Sequence, residues 1–98
     1  MKVKMHSIKF DADSKLLGVV QKKMDKLETF FDRIIDGEVF MRLNNEGVKN
    51  KTIEIKINIP GEQLFATAVD KSFEAAADVA YEALRRQLKK YKTKVLSH

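Results

Sequence analysis

The fold of this 98-residue chain is decided by residues 52–59, which read TIEIKINI. Four isoleucines alternate with four polar residues over this stretch. Because successive side chains of a β-strand point to opposite faces, the alternation predicts a strand with one apolar face and one polar face. We therefore expect a sheet that packs against a core on one face and is open to water on the other.

The N-terminal stretch also alternates, with Val3 and Met5 on one side of the chain. The alternation then shifts phase to Ile8 and Phe10, and such a shift is typical of a β-bulge. We therefore predict a first strand that contains a bulge.

Two further strands flank residues 52–59 in the sequence. One is predicted at residues 38–43, which alternate in the same way and lead into a turn-rich loop, NNEG, at 44–47. The other is predicted at residues 63–69, after a tight turn at 60–62, PGE. The chain is thus expected to form four strands.

Two stretches show the three- and four-residue spacing of an amphipathic helix. The first follows a cluster of capping residues, DADS at 11–14, and is expected to end near Arg33. The second is expected to begin at Asp70 or Ser72 and to continue toward the C-terminus. The apolar stripes of these helices are Leu16, Val20, Met24, Leu27, Phe31 and Ile34 in the first, and Phe73, Ala77, Ala80, Leu84, Leu88 and Tyr91 in the second.

The predicted fold class is α+β, with the element order β-α-β-β-β-α in a single domain over residues 1–98. Two helices packed on one face of a four-stranded sheet satisfy the half-polar alternation of the strands. The first strand is expected to pair parallel to the second through a right-handed crossover, and the last three strands to be antiparallel.

Composition argues against several kinds of site. The chain has no Cys and only two His, so a structural disulfide and a zinc cluster of Cys and His are excluded. His6 is expected on the surface of its strand, and the acidic spacing of Glu74, Asp78 and Glu82 is better explained by the helix dipole than by a metal. No serine triad or glycine-rich phosphate loop is present. We therefore expect no enzymatic activity, cofactor, metal or small-molecule substrate.

The expected location is the cytoplasm. The first residues alternate instead of forming the apolar block of a signal peptide. No run approaches the roughly 20 apolar residues that a membrane-spanning helix needs.

Positive charge is concentrated near the C-terminus. Residues 85–94 contain six cations and no carboxylate, in a chain whose formal net charge is +5. The dipole of a helix favours cations at its C-terminus by only about 0.3 to 1 kcal/mol per site, so it does not require so many. The cluster indicates a phosphate-rich partner, and a solvated charged face is the alternative.

A second set of cations falls on the first predicted helix. Lys15, Lys22, Lys26 and Arg33 are separated by seven, four and seven residues, which places them on one line displaced from the apolar stripe. If both helices pack on the same sheet face, the two sets would form one surface suited to a nucleic-acid backbone.

Aromatic residues offer a second route to RNA binding. Phe40 and Phe65 could stack on bases if both lie on the open face of the sheet, although a core position is favoured for Phe65.

Two segments occur in a characteristic order, KKMDKLETFFDR at 22–33 and LRRQLKKYK at 84–92. Together with the element order, they resemble the ribosome hibernation promoting factor family, which includes the ribosome-associated translation inhibitors and proteins once described as sigma-54 modulation proteins. The resemblance covers nearly the whole chain. We expect a protein of the short form of this family, without the extra C-terminal domain of the long form.

This resemblance implies a domain similar to double-stranded RNA-binding domains, lodged in the decoding region of the small ribosomal subunit. There it would reversibly block mRNA and tRNA under stress or in stationary phase, without any bond being made or broken. Its partners would be the small subunit and its rRNA, and it would be monomeric off the ribosome. Pairing of ribosomes would need another factor or would not occur. The positions that match the family's basic, rRNA-facing pattern are Lys22, Lys26, Arg33, Arg85, Arg86, Lys89, Lys90 and Lys92.

Two alternatives remain open. The chain could be a protein-interaction module that uses its open sheet face and the acidic start of its last helix. It could also be a general double-stranded RNA-binding domain that uses the same cations on free RNA.

Overall fold

The computed structural model describes residues 1–44 and 47–96. In chain order the elements are β1 (Lys2–Ile8), α1 (Ser14–Phe30), β2 (Asp36–Leu43), β3 (Lys51–Ile59), β4 (Glu62–Asp70) and α2 (Phe73–Leu96). The predicted α+β class and element order are confirmed. Asn45 and Glu46 of the predicted loop, and the terminal His98, lie outside the described residues.

The four strands form one sheet in the order β1-β2-β3-β4. β1 pairs parallel to β2, and the pairs β2–β3 and β3–β4 are antiparallel. α1 is the crossover between the two parallel strands, as expected. A two-residue turn joins β3 to β4, in which Gly61 has a φ of 80°, a backbone conformation that glycine adopts without strain.

The apolar face of β3 lies at the centre of the core. Ile53, Ile55 and Ile57 have no solvent exposure. In the sheet, Ile55 lies between Val39 of β2 and Ala66 of β4, so one buried row crosses three strands. The polar residues of the same strands lie in the alternate rows, which form the open face of the sheet.

Both helices begin at a side-chain cap. In α1, the Oδ1 of Asp13 accepts a hydrogen bond of 2.8 Å from the backbone N–H of Leu16. In α2, the Oγ of Ser72 accepts a hydrogen bond of 3.0 Å from the N–H of Ala75. Of the two predicted caps for α2, Ser72 is therefore the one used.

The predicted bulge in β1 is wrong. Every residue of β1 pairs in step with β2, through to Ile8 opposite Arg42. Ile8 therefore lies on the open face with His6, and the chain changes direction only after the strand, at Lys9, whose φ of 68° is in the left-handed region. Phe10 thereby reaches the core, where its ring stacks on Phe73 with 4.6 Å between centroids.

α1 ends at Phe30, earlier than the predicted end near Arg33. Phe31 has an extended backbone, with φ −142° and ψ 103°, and still places its side chain in the core together with Ile34. The apolar spacing therefore continues through a turn that leads into β2. For this reason Arg33 lies in the turn and not on the helix.

Hydrogen bonds hold the C-terminal half of α2 onto the sheet. The hydroxyl of Tyr91 donates to the carbonyl of Pro60 at 2.9 Å, and Nε2 of Gln87 donates to the carbonyl of Phe65 at 2.9 Å. The ring of Tyr91 also meets Phe31 edge to face, with 5.5 Å between centroids. The position of α2 is thus set at the end of the helix that carries the cations.

Replacing Ile55 by Ala is expected to lower the free energy of unfolding by about 2 to 5 kcal/mol, because the change leaves a cavity in the middle of the core. Urea unfolding followed by circular dichroism measures the loss. Val69→Ala is the matched control, since Val69 is β-branched and also in the sheet but is 50% exposed. It should cost less than about 1 kcal/mol, and equal losses in the two variants would contradict this core.

Candidate nucleic-acid interface

The two helices lie side by side and run in the same direction on one face of the sheet. On α1, Lys23 forms an ion pair with Asp78 of α2, and its Nζ lies 5.5 Å from the ring centroid of Tyr81. Seven residues further along each helix, Phe30 of α1 meets Arg85 of α2. The contacting residues advance in the same direction along both helices, so the helices are parallel. We call this line of contacts, from Lys23 and Asp78 to Phe30 and Arg85, the seam.

The seam changes its charge along its length. At the N-terminal half of α2, the carboxylates of Glu74, Asp78 and Glu82 follow one face at four-residue spacing, and Asp78 neutralises Lys23. From Arg85 onward, α2 carries only cations among its charged residues. The acidic and basic halves of this surface are therefore separated by about one helical turn.

Two cations of α2 converge on Phe30 at the basic end of the seam. The Cζ of Arg85 lies 5.0 Å from the centroid of the Phe30 ring, and the Nζ of Lys92 lies 4.6 Å from it. Lys92 also donates a hydrogen bond of 3.4 Å to the backbone carbonyl of Phe30. Both distances to the ring are within the usual range for a cation on an aromatic face.

A shallow cleft opens at this end of the seam. It is lined by Phe30, Glu82, Arg85, Arg86, Lys89, Lys92 and Thr93. A neighbouring cleft, lined in part by Arg33 and Lys92, continues it past the end of α1. The turn that removes Arg33 from α1 therefore still brings this residue beside the last turns of α2.

The predicted straight line of cations on α1 is only partly correct. Lys15, Lys22 and Lys26 are exposed on the helix, but Arg33 is not part of it. Lys26 lies four residues before Phe30 and Lys22 lies four before Lys26, so they share one face of α1 and extend the cationic surface away from the seam.

The cations of α2 surround the end of the helix instead of forming one flat row. Arg85 and Lys92 are turned toward α1. Lys90 is on the opposite side, where it lines a cleft with Glu62 and Leu64 of β4. Arg86 and Lys89 lie between these two sides, because they line clefts together with residues of each group. A backbone of phosphates could thus contact α2 over a wide arc.

The open face of the sheet has a different character. His6 is exposed, as expected, and its ring stacks on Phe40 with 4.8 Å between centroids. The Nε2 of His6 is 2.7 Å from Oε2 of Glu38, and Nζ of Lys56 is 5.3 Å from the centroid of Phe40. Charges of both signs are therefore mixed on this face, whereas cations predominate at the end of the seam, where Glu82 and Asp32 also line the two clefts.

The core position favoured for Phe65 is wrong. Its side chain is 59% exposed on the open face, because the alternation of β4 places Ala66 and Ala68 inside instead. Phe40 and Phe65 thus do share the open face, although Phe40 already stacks on His6.

Other kinds of site find little support. Across residues 1–44 and 47–96, no group of three or more His, Asp or Glu side chains is placed to hold a metal ion. The helices of the same ranges include none that is both long and apolar enough to cross a bilayer.

Sequence reasoning did not identify Phe30 as part of the site. An apolar residue in an amphipathic helix is usually assigned to the core, and Phe30 is indeed packed against it. The one available signal was its position four residues after Lys26 and three before Arg33.

Comparison with known proteins identifies a family and relatives that this chain resembles in sequence. The family model described as sigma 54 modulation protein / S30EA ribosomal protein matches residues 3–96. The chain is 34% identical over 94 residues to a ribosome hibernation promoting factor of Azotobacter vinelandii, covering 96% of this chain and 85% of that one. It is 35% identical over 79 residues to the factor of Escherichia coli strain K12, covering 81% of this chain and 80% of that one.

Some relatives are longer. The chain is 32% identical over 81 residues to a ribosome hibernation promotion factor of Deinococcus radiodurans, which covers 79% of this chain but only 41% of that relative.

Solved structures share the fold. A ribosomal subunit interface protein from Coxiella burnetii superposes with a TM-score of 0.85 at 24% identity, covering 95% of this chain and 99% of that one. The N-terminal domain of Thermus thermophilus Protein Y superposes with a TM-score of 0.80 at 22% identity, covering 93% and 99%. At these identities the likeness concerns the fold alone. With the family model matching nearly all of its residues, the chain belongs to the sigma 54 modulation protein / S30EA ribosomal protein family.

Proposed function

We propose that this protein is a ribosome hibernation factor that binds rRNA in the decoding region of the small ribosomal subunit. Bound there, it reversibly excludes mRNA and tRNA under stress or in stationary phase and so inhibits translation. Family membership and relatives named as ribosome hibernation factors support a role on the ribosome. The observation that carries the proposal is the gathering of cations from α2 and from the turn after α1 around the basic end of the seam, beside the exposed Lys22 and Lys26 of α1.

The physical basis of this function is electrostatic attachment followed by steric exclusion. Lysine and arginine side chains that neutralise phosphates release counterions, and this release supplies most of the affinity for a nucleic-acid backbone. A folded body of 48 × 23 × 18 Å that is held in this way excludes other macromolecules from the space that it fills. Inhibition then needs no bond to be made or broken, and dissociation restores the ribosome.

The proposed contact residues keep the predicted set, with roles refined by the fold. Arg86 and Lys89 lie at the centre of the arc on α2, so they are expected to contribute most to binding. The remaining proposed contacts are Lys22, Lys26, Arg33, Arg85, Lys90 and Lys92. The partners are the small subunit and its rRNA, the site of action is the cytoplasm, and the protein acts as a monomer off the ribosome.

Binding to purified small subunits is expected to weaken steeply as salt is raised. About eight phosphate contacts give a slope of log affinity against log salt of about −6 to −7. Co-sedimentation over a salt series measures the slope. No binding at low salt, or a slope near zero, would remove the proposal.

Reversing two charges at the centre of the arc, in the variant Arg86→Glu/Lys89→Glu, should weaken binding by about ten- to a hundredfold at about 0.1 M salt. Circular dichroism should not change, because both side chains are exposed. The matched control is Lys2→Glu/Lys4→Glu, which makes the same change in net charge on the open face of the sheet. Equal weakening by both pairs would mean that net charge, and not this interface, determines binding.

A competition experiment with tRNA distinguishes binding in the decoding region from binding to other RNA. If the protein and tRNA occupy overlapping space, the apparent dissociation constant for the small subunit should rise in proportion to added tRNA. Simultaneous binding of both would contradict the steric mechanism. A protein whose true ligand is free duplex RNA would bind a naked duplex as tightly as it binds the subunit.

One observation favours a second candidate function. Phe65 is 59% exposed and Val69 is 50% exposed on the open face, so two large apolar side chains there are available to another protein. A protein-interaction module would bind a partner that survives nuclease treatment and high salt. It would also be impaired by changes on the open face and not by Arg86→Glu/Lys89→Glu.

A further inference from the structure

We propose that Phe30 organises the interface by holding Arg85 and Lys92 side by side, as a paired-cation site for one phosphate of the RNA backbone. The inference rests on the proposed function and deepens it, because it adds an uncharged positioning residue and a defined subsite at the basic end of the seam.

Three contacts define the arrangement. The ring of Phe30 has Arg85 Cζ at 5.0 Å and Lys92 Nζ at 4.6 Å from its centroid. The backbone carbonyl of Phe30 accepts a hydrogen bond of 3.4 Å from Lys92. Phe30 is in the last turn of α1, where free carbonyls carry partial negative charge and attract a cation. One residue thus holds the first cation through its ring and the second through its ring and its backbone.

Arg85 and Lys92 are two cations that contact the same ring. They are seven residues apart on α2, so they lie on the same face of the helix. Within the part of the chain that the structure describes, neither forms an ion pair with a carboxylate, whereas Lys23 at the other end of the seam is paired with Asp78. Repulsion between them is offset by the aromatic ring and the carbonyl, and by Glu82, which lines the same cleft but, among the described residues, forms no ion pair with either cation. An anion from outside the protein completes the site.

A phosphate of a nucleic-acid backbone fits this site better than an isolated anion. The guanidinium of Arg85 presents a planar fork of donors for two phosphate oxygens, and the ammonium of Lys92 adds a point charge. Arg86 and Lys89 line the same cleft, so the next phosphates of a continuous strand meet further cations. A single free anion would contact only the pair of Arg85 and Lys92.

Phe30 acts through its neighbours and does not stack on a base. Its ring is already in contact with both cations, and it also packs against the core. Its role is to restrict the rotamers of two long side chains before RNA arrives, which lowers the entropy lost on binding.

The test compares Phe30→Leu with Phe30→Tyr. Leu retains the apolar contact with the core but removes the aromatic face, and Tyr retains both. We expect Phe30→Leu to weaken binding to small subunits by about three- to tenfold at about 0.1 M salt, and Phe30→Tyr to stay within about twofold of the parent. Phe30→Met serves as a second apolar replacement if Phe30→Leu lowers the melting temperature strongly.

Phe10→Leu is the matched control. Phe10 is also a partly buried phenylalanine that packs against the core, but it lies in the loop before α1 and its ring stacks on Phe73, the first residue of α2. It should lower thermal stability about as much as Phe30→Leu while leaving the affinity for the subunit unchanged. Equal weakening of binding by the two variants would mean that Phe30 acts only through the fold, and would overturn the inference.

A double-mutant cycle gives the decisive readout. In a background of Arg85→Gln/Lys92→Gln, Phe30→Leu should have little further effect, because the cations through which it acts are absent. An undiminished effect in that background would overturn the inference, as would an unaltered affinity of Phe30→Leu when the parent binds in a salt-dependent way. Failure of the parent to bind at all would instead overturn the proposed function on which the inference rests.

Discussion

Burial of the apolar face of β3 is the constraint on which the rest of this structure depends. Ile53, Ile55 and Ile57 are fully removed from water, while the opposite face of the strand remains open. A single sheet with one wet face needs a complete cover on its other face, and two helices placed side by side supply it. The small side chains of Ala66 and Ala68 on β4 let α2 come close. The position of every candidate site residue follows from this cover.

The cover also decides the electrostatics, because α1 and α2 run parallel. Their C-terminal ends point toward the same end of the domain, and α1 ends beside Arg85 while α2 continues to Leu96, so the free carbonyls and negative dipole end of α1 face the cationic part of α2. This fold therefore favours cations at the place where the sequence supplies them, as the contact of Lys92 with the Phe30 carbonyl shows. The dipoles account for only a fraction of the cluster. The remaining charge is available to a polyanion. The proposed function depends on this electrostatic attraction and on steric exclusion, and it does not require a catalytic group.

Prediction from the sequence succeeded where the spacing of apolar residues is compatible with only one secondary structure. The alternation of β3 and the apolar stripe of α2 were correct, since strand and helix periods follow from covalent geometry. It failed where a change or continuation of that spacing fits either an element that goes on or a turn that follows it. The phase shift near Ile8 indicated a bulge, but Ile8 stays in register on the open face and the left-handed turn at Lys9 brings Phe10 to the core. The apolar spacing through Phe31 and Ile34 indicated a longer helix but continues through a turn, because both side chains still reach the core.

The sequence by itself determined the element order, the open face of the sheet and the presence of two sets of cations, because these follow from short-range periodicity and composition. Only the tertiary structure decided which charges are neighbours. It brought Arg33 next to Lys92, turned Lys90 to the side of β4, and gathered Arg85 and Lys92 around Phe30. The reason is that the rotation and alignment of two packed helices depend on contacts between residues far apart in the chain, such as Lys23 with Asp78, which no local pattern records.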